Sequence, residues 1–150
     1  MSTLVQKSAV AAAMSALLVG GAWAHAEVTL PPVQHSGQVE YLSGGIGDAE
    51  STAMQSAAHQ WPLTLEFAVK DKQHADFAAN VDVIVRDAHG HTALQTESAG
   101  PFLLARLAPG RYAVDATFAG KTLHENVTVA RGTPAKATFV WPAGTDEKRS

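Results

Sequence analysis

Seven histidines and no cysteine set the limits of the side-chain chemistry open to this 150-residue chain. Without a thiol there is no cysteine nucleophile, no disulfide and no thiolate metal ligand, so metal or acid–base work falls chiefly to imidazole and carboxylate. His25 offers most. Cleavage after Ala24 would make it the amino-terminal residue, and an α-amine and imidazole on one residue form a nitrogen chelate suited to Cu(II). Asp87-Ala88-His89 adds a carboxylate and a second imidazole from a turn, so His25, Asp87 and His89 form the candidate copper set. His89-Gly90-His91 brings two imidazoles together, but no further ligands fall at the spacing that closes a zinc site. His35, His59, His74 and His124 are scattered singly.

Aromatic and glycine-rich stretches supply two more candidates. Trp61 and Trp141 could stack on sugar rings at a sheet edge, although Trp141 continues the inward register of Phe139 and so also suits a core. Gly44-Gly45-Ile46-Gly47-Asp48 precedes a helix-like segment, where backbone amides attract anions. Its spacing matches no phosphate-binding fingerprint, and Asp48 opposes an anion. The serines lie in loops without a nucleophile elbow, and the acids show no pairing that one cleft would gather. The expectation is a chain that is not an enzyme and needs no cofactor, copper being the single alternative.

The leading residues set the compartment. Lys7, an apolar run from Ala9 to Val19 and the small residues around Ala22-Trp23-Ala24-His25-Ala26 have the layout of a secretory signal. Cuts after Ala24 or after Ala26 both fit, and the run is too short to span a bilayer. Removing 1–24 takes away Lys7 alone, leaving ten basic residues against 14 acidic ones and a net charge of −4. An acidic chain with no basic run is a poor ligand for nucleic acid or anionic membrane. The expected location is the periplasm or the medium, with an envelope protein or a glycan as partner and no integral membrane segment in the mature chain.

Candidate residues need elements to position them. Residues 25–60 read as an extended arm with a short strand near Gln38–Leu42, the glycine-rich loop, and a helix over Ala49–His59 capped by Asp48. Met54, Ala57 and Ala58 share one face of that helix, which should lie on the rest of the fold. Residues 61–142 then alternate at period two: Leu63, Leu65, Phe67, Val69; Val81, Val83, Val85; Tyr112, Val114, Ala116, Phe118; Leu123, Val127, Val129; Ala137, Phe139, Trp141. Lys70–Phe77 reads as a polar loop, Asp87–Gly90 as a turn, and 143–150 as a charged, disordered tail. No crossover helices separate the strands, so they predict a seven-stranded antiparallel Greek-key β-sandwich. Its pivot is Leu107-Ala108-Pro109-Gly110-Arg111-Tyr112. Pro109-Gly110 is a strong turn signal, and Leu107, Pro109, Gly110 and Tyr112 predict a structural corner between two sheets. The Tyr112 ring should enter the core with its hydroxyl on a nearby backbone group.

VDVIVRDAHG, GPFLLARLAPGRYAVDATFAG and ENVTVARGTPAKATFVW together resemble the carboxypeptidase regulatory-like domains, small sandwiches of transthyretin-like topology. The whole mature chain, including YLSGGIGDAE, is also similar to single-domain exported proteins of Gram-negative bacteria. The resemblance runs from Pro62 to Trp141 and rests on turn-forming residues, so it implies a fold and a non-catalytic binding module. Amino-terminal His25 with Asp87-x-His89 is similar to the periplasmic copper carriers, which implies the copper alternative. Trp61 and Trp141 keep a carbohydrate-binding module open as a further reading.

Overall fold

The computed structural model describes residues 29–71 and 75–146. The signal segment 1–24, both cleavage patterns and His25 lie outside the described residues. The elements are β1 (Gln34–Ser36), β2 (Val39–Gly44), α1 (Asp48–Ala57) with a 3-10 turn over Ala58–Gln60, β3 (Leu63–Lys70), β4 (Ala75–Phe77), β5 (Val81–Asp87), β6 (Thr92–Ser98), β7 (Phe102–Ala105), β8 (Gly110–Phe118), β9 (Lys121–Val129) and β10 (Ala135–Trp141). They form two sheets. The first runs β1-β2-β7-β3-β10, with β4 beside the end of β3, and the second runs β6-β5-β8-β9.

The periodicity explains the layers. Leu65, Phe67, Val83, Val85, Val114, Phe139 and Trp141 project between the sheets and form the main core with Tyr41, Leu94 and Leu103. Strand β3 is buried on both faces, since Thr64 and Ala68 are as inaccessible as the leucines. Helix α1 lies on the outer face of the first sheet over β2 and β7, and β4 flanks the far half of β3, with Phe77 opposite Ala68. Met54 of the helix meets Leu42, Trp61, Phe102 and Leu104 in a second core, with Ala57 and Ala58 packed against it.

Several expectations need correction. Among the described residues there are ten strands rather than seven. Two of the added ones, β1 and β4, are only three residues long, too short for a period to register. Strands β1 and β2 place residues before Trp61 inside the sandwich, so the arm is part of the first sheet. The sheets are not wholly antiparallel: β10 runs parallel to β3, from Ala135 opposite Leu63 to Trp141 opposite Val69. Both strands enter from the same end, β3 from the helical turn and β10 from the second sheet through Arg131-Gly132. Gly47, not Asp48, is the helix cap residue, because the first helical bond runs from Ser51 N–H to the Gly47 carbonyl. Asp48 and Glu50 sit in the first turn, where acids complement the helix dipole. In the expected tail, Thr145 is buried and its hydroxyl donates to the Pro142 carbonyl, while 147–150 lie outside the described residues.

The corner carries the chain from one sheet to the other. Strand β7 belongs to the first sheet and β8 to the second, and residues 106–109 make the crossing. Leu107 and Tyr112 are buried, and the Tyr112 hydroxyl donates to the Ala108 carbonyl at 2.6 Å. Gly110 has φ 158°, close to extended, and pairs with Val129 as the first residue of β8.

Candidate binding cleft

Three chain crossings meet at the corner end of the sandwich. The first is the passage from the 3-10 turn into β3. Trp61 precedes a proline, which favours extended backbone, and at φ −112°, ψ 140° it ends the helix and turns its side chain back under the second core. The second is the β7–β8 corner. Arg106 is fixed there by its amide, which donates to the Glu40 carbonyl at 2.9 Å, and by its guanidinium, 4.4 Å from the Trp61 ring centre. The third is the two-residue turn Arg131-Gly132, closed by a bridge between Ala130 and Thr133, with Gly132 at φ 77° in the region glycine tolerates.

Between these crossings lies a half-open cleft of about 290 Å³. Trp61, Leu107, Pro109 and Val129 give it apolar walls, and His59, Arg106 and Arg131 bring positive or ionisable groups. Among the described residues no aspartate or glutamate lines it. Arg106 shares part of its charge with Glu40, Nε lying 3.4 Å from Oε2. Arg131 is exposed and, among the described residues, has no carboxylate partner.

The residues singled out by sequence are dispersed. Asp87 and His89 sit together, but the Asp87 carboxylate organises its own turn. Oδ1 accepts from the amides of His89 and His91 at 2.9 and 3.0 Å, and Oδ2 lies 3.7 Å from His91 Nδ1. Desolvation works against the charged form of Asp87, yet the two amides and the neighbouring imidazoles together hold its pKa below the ordinary carboxylate range. Among the described residues no three His, Asp or Glu side chains gather as a metal site.

Neither tryptophan offers a face for a sugar, which corrects the stacking expectation. Trp141 is wholly buried against Phe67, Phe118 and Phe139, and its indole N–H donates to the Lys121 carbonyl at 2.8 Å. Trp61 is 7 % exposed and carries Arg106 on its ring. In the glycine-rich loop, the Gly45 amide already donates to Glu50 Oε1 at 2.8 Å, so the chain's own carboxylate takes the place an anion would fill.

One cluster escaped the sequence reading. On the outer face of the second sheet Asp115 bridges Arg86, at 2.8 Å, and His124, at 2.5 Å. The hydrogen bond to His124, aided by Arg86 and opposed by partial desolvation, lowers the Asp115 pKa, while the Asp115 carboxylate raises that of His124. The beta hairpin at Ala119-Gly120 was the available signal. A two-residue loop there puts Thr117 opposite Thr122 and Asp115 opposite His124. The neighbouring hydroxyls of Thr117 and Thr122 bond to each other, at 2.7 Å.

No protein-family model matches the chain, and no curated protein shows significant similarity to it. No described helix is long and apolar enough to cross a membrane.

Proposed function

We propose that this chain is an exported, non-catalytic binding module of the carboxypeptidase regulatory-like, transthyretin-like kind, and that it presents the corner end of its sandwich to a partner. The observation that carries the reading is the cleft between Trp61, Arg106 and Arg131, built from three crossings on a rigid two-sheet scaffold. Loops clustered at one end of a sandwich are a common place for recognition, because the sheets fix them while their sequence stays free to vary. The acid–base pairs elsewhere are spent on turns and cross-strand contacts: Asp87 on its own loop, Asp115 on Arg86 and His124. That use supports a binding role over a catalytic one.

A fragment screen by amide-resolved NMR on the purified chain tests the site. The expected result is that perturbations gather at Trp61, Arg106–Pro109 and Ala130–Pro134. Hits spread over the outer face of the second sheet instead would remove the cleft as the binding surface. Mass spectrometry of the chain recovered after export tests the compartment: a mature terminus at His25 or Glu27 is expected, and a retained Met1 would overturn export.

A further inference from the structure

The cleft just described also has a chemical preference, and that preference rests on the binding-module reading. We infer that it takes an organic carboxylate on an apolar or aromatic stem, held electrostatically by Arg131 beside the Arg106–Trp61 stack. Two observations converge on this ligand class.

The lining is one-signed. Arg106, Arg131 and His59 reach the cleft and no described carboxylate does, in a chain with 14 acidic residues against 11 basic ones. Among the described residues Arg131 has no ion-pair partner, and an arginine fork matches a carboxylate in two-point geometry better than a lysine would.

The walls are apolar. Leu107, Val129, Pro109 and the edge of Trp61 would cover the stem of such a ligand. The volume, about 290 Å³, lies at the lower limit of small-molecule sites, which run from roughly 300 to 1,000 Å³, so a single residue-sized group fits.

The test is a paired titration of the full chain by amide-resolved NMR, using N-acetylphenylalanine and its uncharged amide, N-acetylphenylalaninamide. The acid is expected to shift Trp61, Arg106 and Arg131–Thr133 saturably and to bind at least about tenfold more tightly than the amide, the fold-change worth one charge-assisted hydrogen bond. Arg131→Gln should erase that difference and leave the melting temperature unchanged, because Arg131 sits on an exposed turn. Arg131→Lys should restore part of it. Equal binding of acid and amide at these residues would overturn the carboxylate preference while leaving the cleft as a binding site. No shift at these residues with either probe at millimolar concentration would overturn the cleft itself.

Discussion

Replacing Tyr112 with phenylalanine isolates one bond at the corner. The ring is 8 % exposed and packs in the main core, and phenylalanine keeps all of that contact. What goes is the 2.6 Å donation from the hydroxyl to the Ala108 carbonyl. Ala108 is exposed, so water can replace the lost donor at its carbonyl. The cost should therefore stay near the net value of one hydrogen bond, about 1 kcal/mol, and below the roughly 1–3 kcal/mol of a stranded buried group. Tyr112→Ala also deletes the ring and should cost about 3–5 kcal/mol. Urea unfolding at neutral pH reads both, as a lower midpoint with an unchanged slope. In a domain of this size each kcal/mol should lower the melting temperature by about 3–6 °C.

The same residue makes a second, independent forecast about pH. Burial, with the Asp87 charge beside it, pushes the Tyr112 phenol above its ordinary pKa of 10.0. Its folded pKa exceeds its unfolded one, so the folded state holds the proton longer. That contribution is complete below pH 10 and is lost as pH rises through the raised value. The gap between wild type and Tyr112→Phe should narrow above pH 10. A phenylalanine variant as stable as wild type at pH 7 would refute the corner bond, and an alanine variant within about 1 kcal/mol of wild type would show that the ring is not core.

Gly100→Ala should destabilise by more than about 1–3 kcal/mol, the usual cost of overpacking, because its Cβ would stand 2.4 Å from the Gly44 carbonyl oxygen and only backbone movement can relieve that; an unchanged thermal melt would contradict the close approach of β2 to this turn. Ala119→Gly should stabilise by about 0.5–1 kcal/mol, since Ala119 sits at φ 50° in the left-handed region of the β8–β9 hairpin; a lower urea midpoint would argue against that turn. The His124 ring protons should titrate above 6.5, and Asp115→Asn should bring the midpoint down. The stability this pair adds is complete for His124 below its unfolded pKa of 6.5 and for Asp115 above its unfolded 3.8. It is lost as pH rises through the raised His124 value or falls through the lowered Asp115 value. The stability difference between wild type and His124→Gln should therefore be largest near pH 5 and shrink toward pH 8, and a flat difference across that range would sink the pairing.

The main-core strands were legible because their residues alternate without interruption. Val81, Val83 and Val85 face inward from β5, as Tyr112 and Val114 do from β8. The corner was legible because proline, glycine and tyrosine fall at the one spacing that a crossing between sheets needs. The second core was only half visible. Met54, Ala57 and Ala58 marked a helix face, but nothing in LTLEFAVK shows that Thr64 and Ala68 would be covered as well. Pairing between distant segments left no local mark, so neither the parallel match of β10 with β3 nor the small strands β1 and β4 could be read. The cleft was hidden for the same reason. Trp61, Arg106 and Arg131 lie far apart in sequence, and the two-sheet topology alone brings them to one end.

That topology also determines how rigid the cleft is. Each crossing that builds it is tied back to the scaffold by its own bond. The Trp61 amide reaches the Ala58 carbonyl, the Ala135 amide reaches the Pro62 carbonyl, the Arg106 amide reaches the Glu40 carbonyl, and Tyr112 holds Ala108. The walls are thus set by the same contacts that close the core, and a ligand entering them spends little on ordering the chain. Arg131 is the exception, at the tip of a two-residue turn whose closing bond, Thr133 N to Ala130 O, is long at 3.4 Å. Backbone order parameters should therefore be high at Trp61 and Leu107 in the free chain and lower at Arg131 and Gly132, with an increase confined to that turn when an anion binds. A uniform gain of order across all three crossings would mean that the corner is assembled by its ligand rather than by Tyr112.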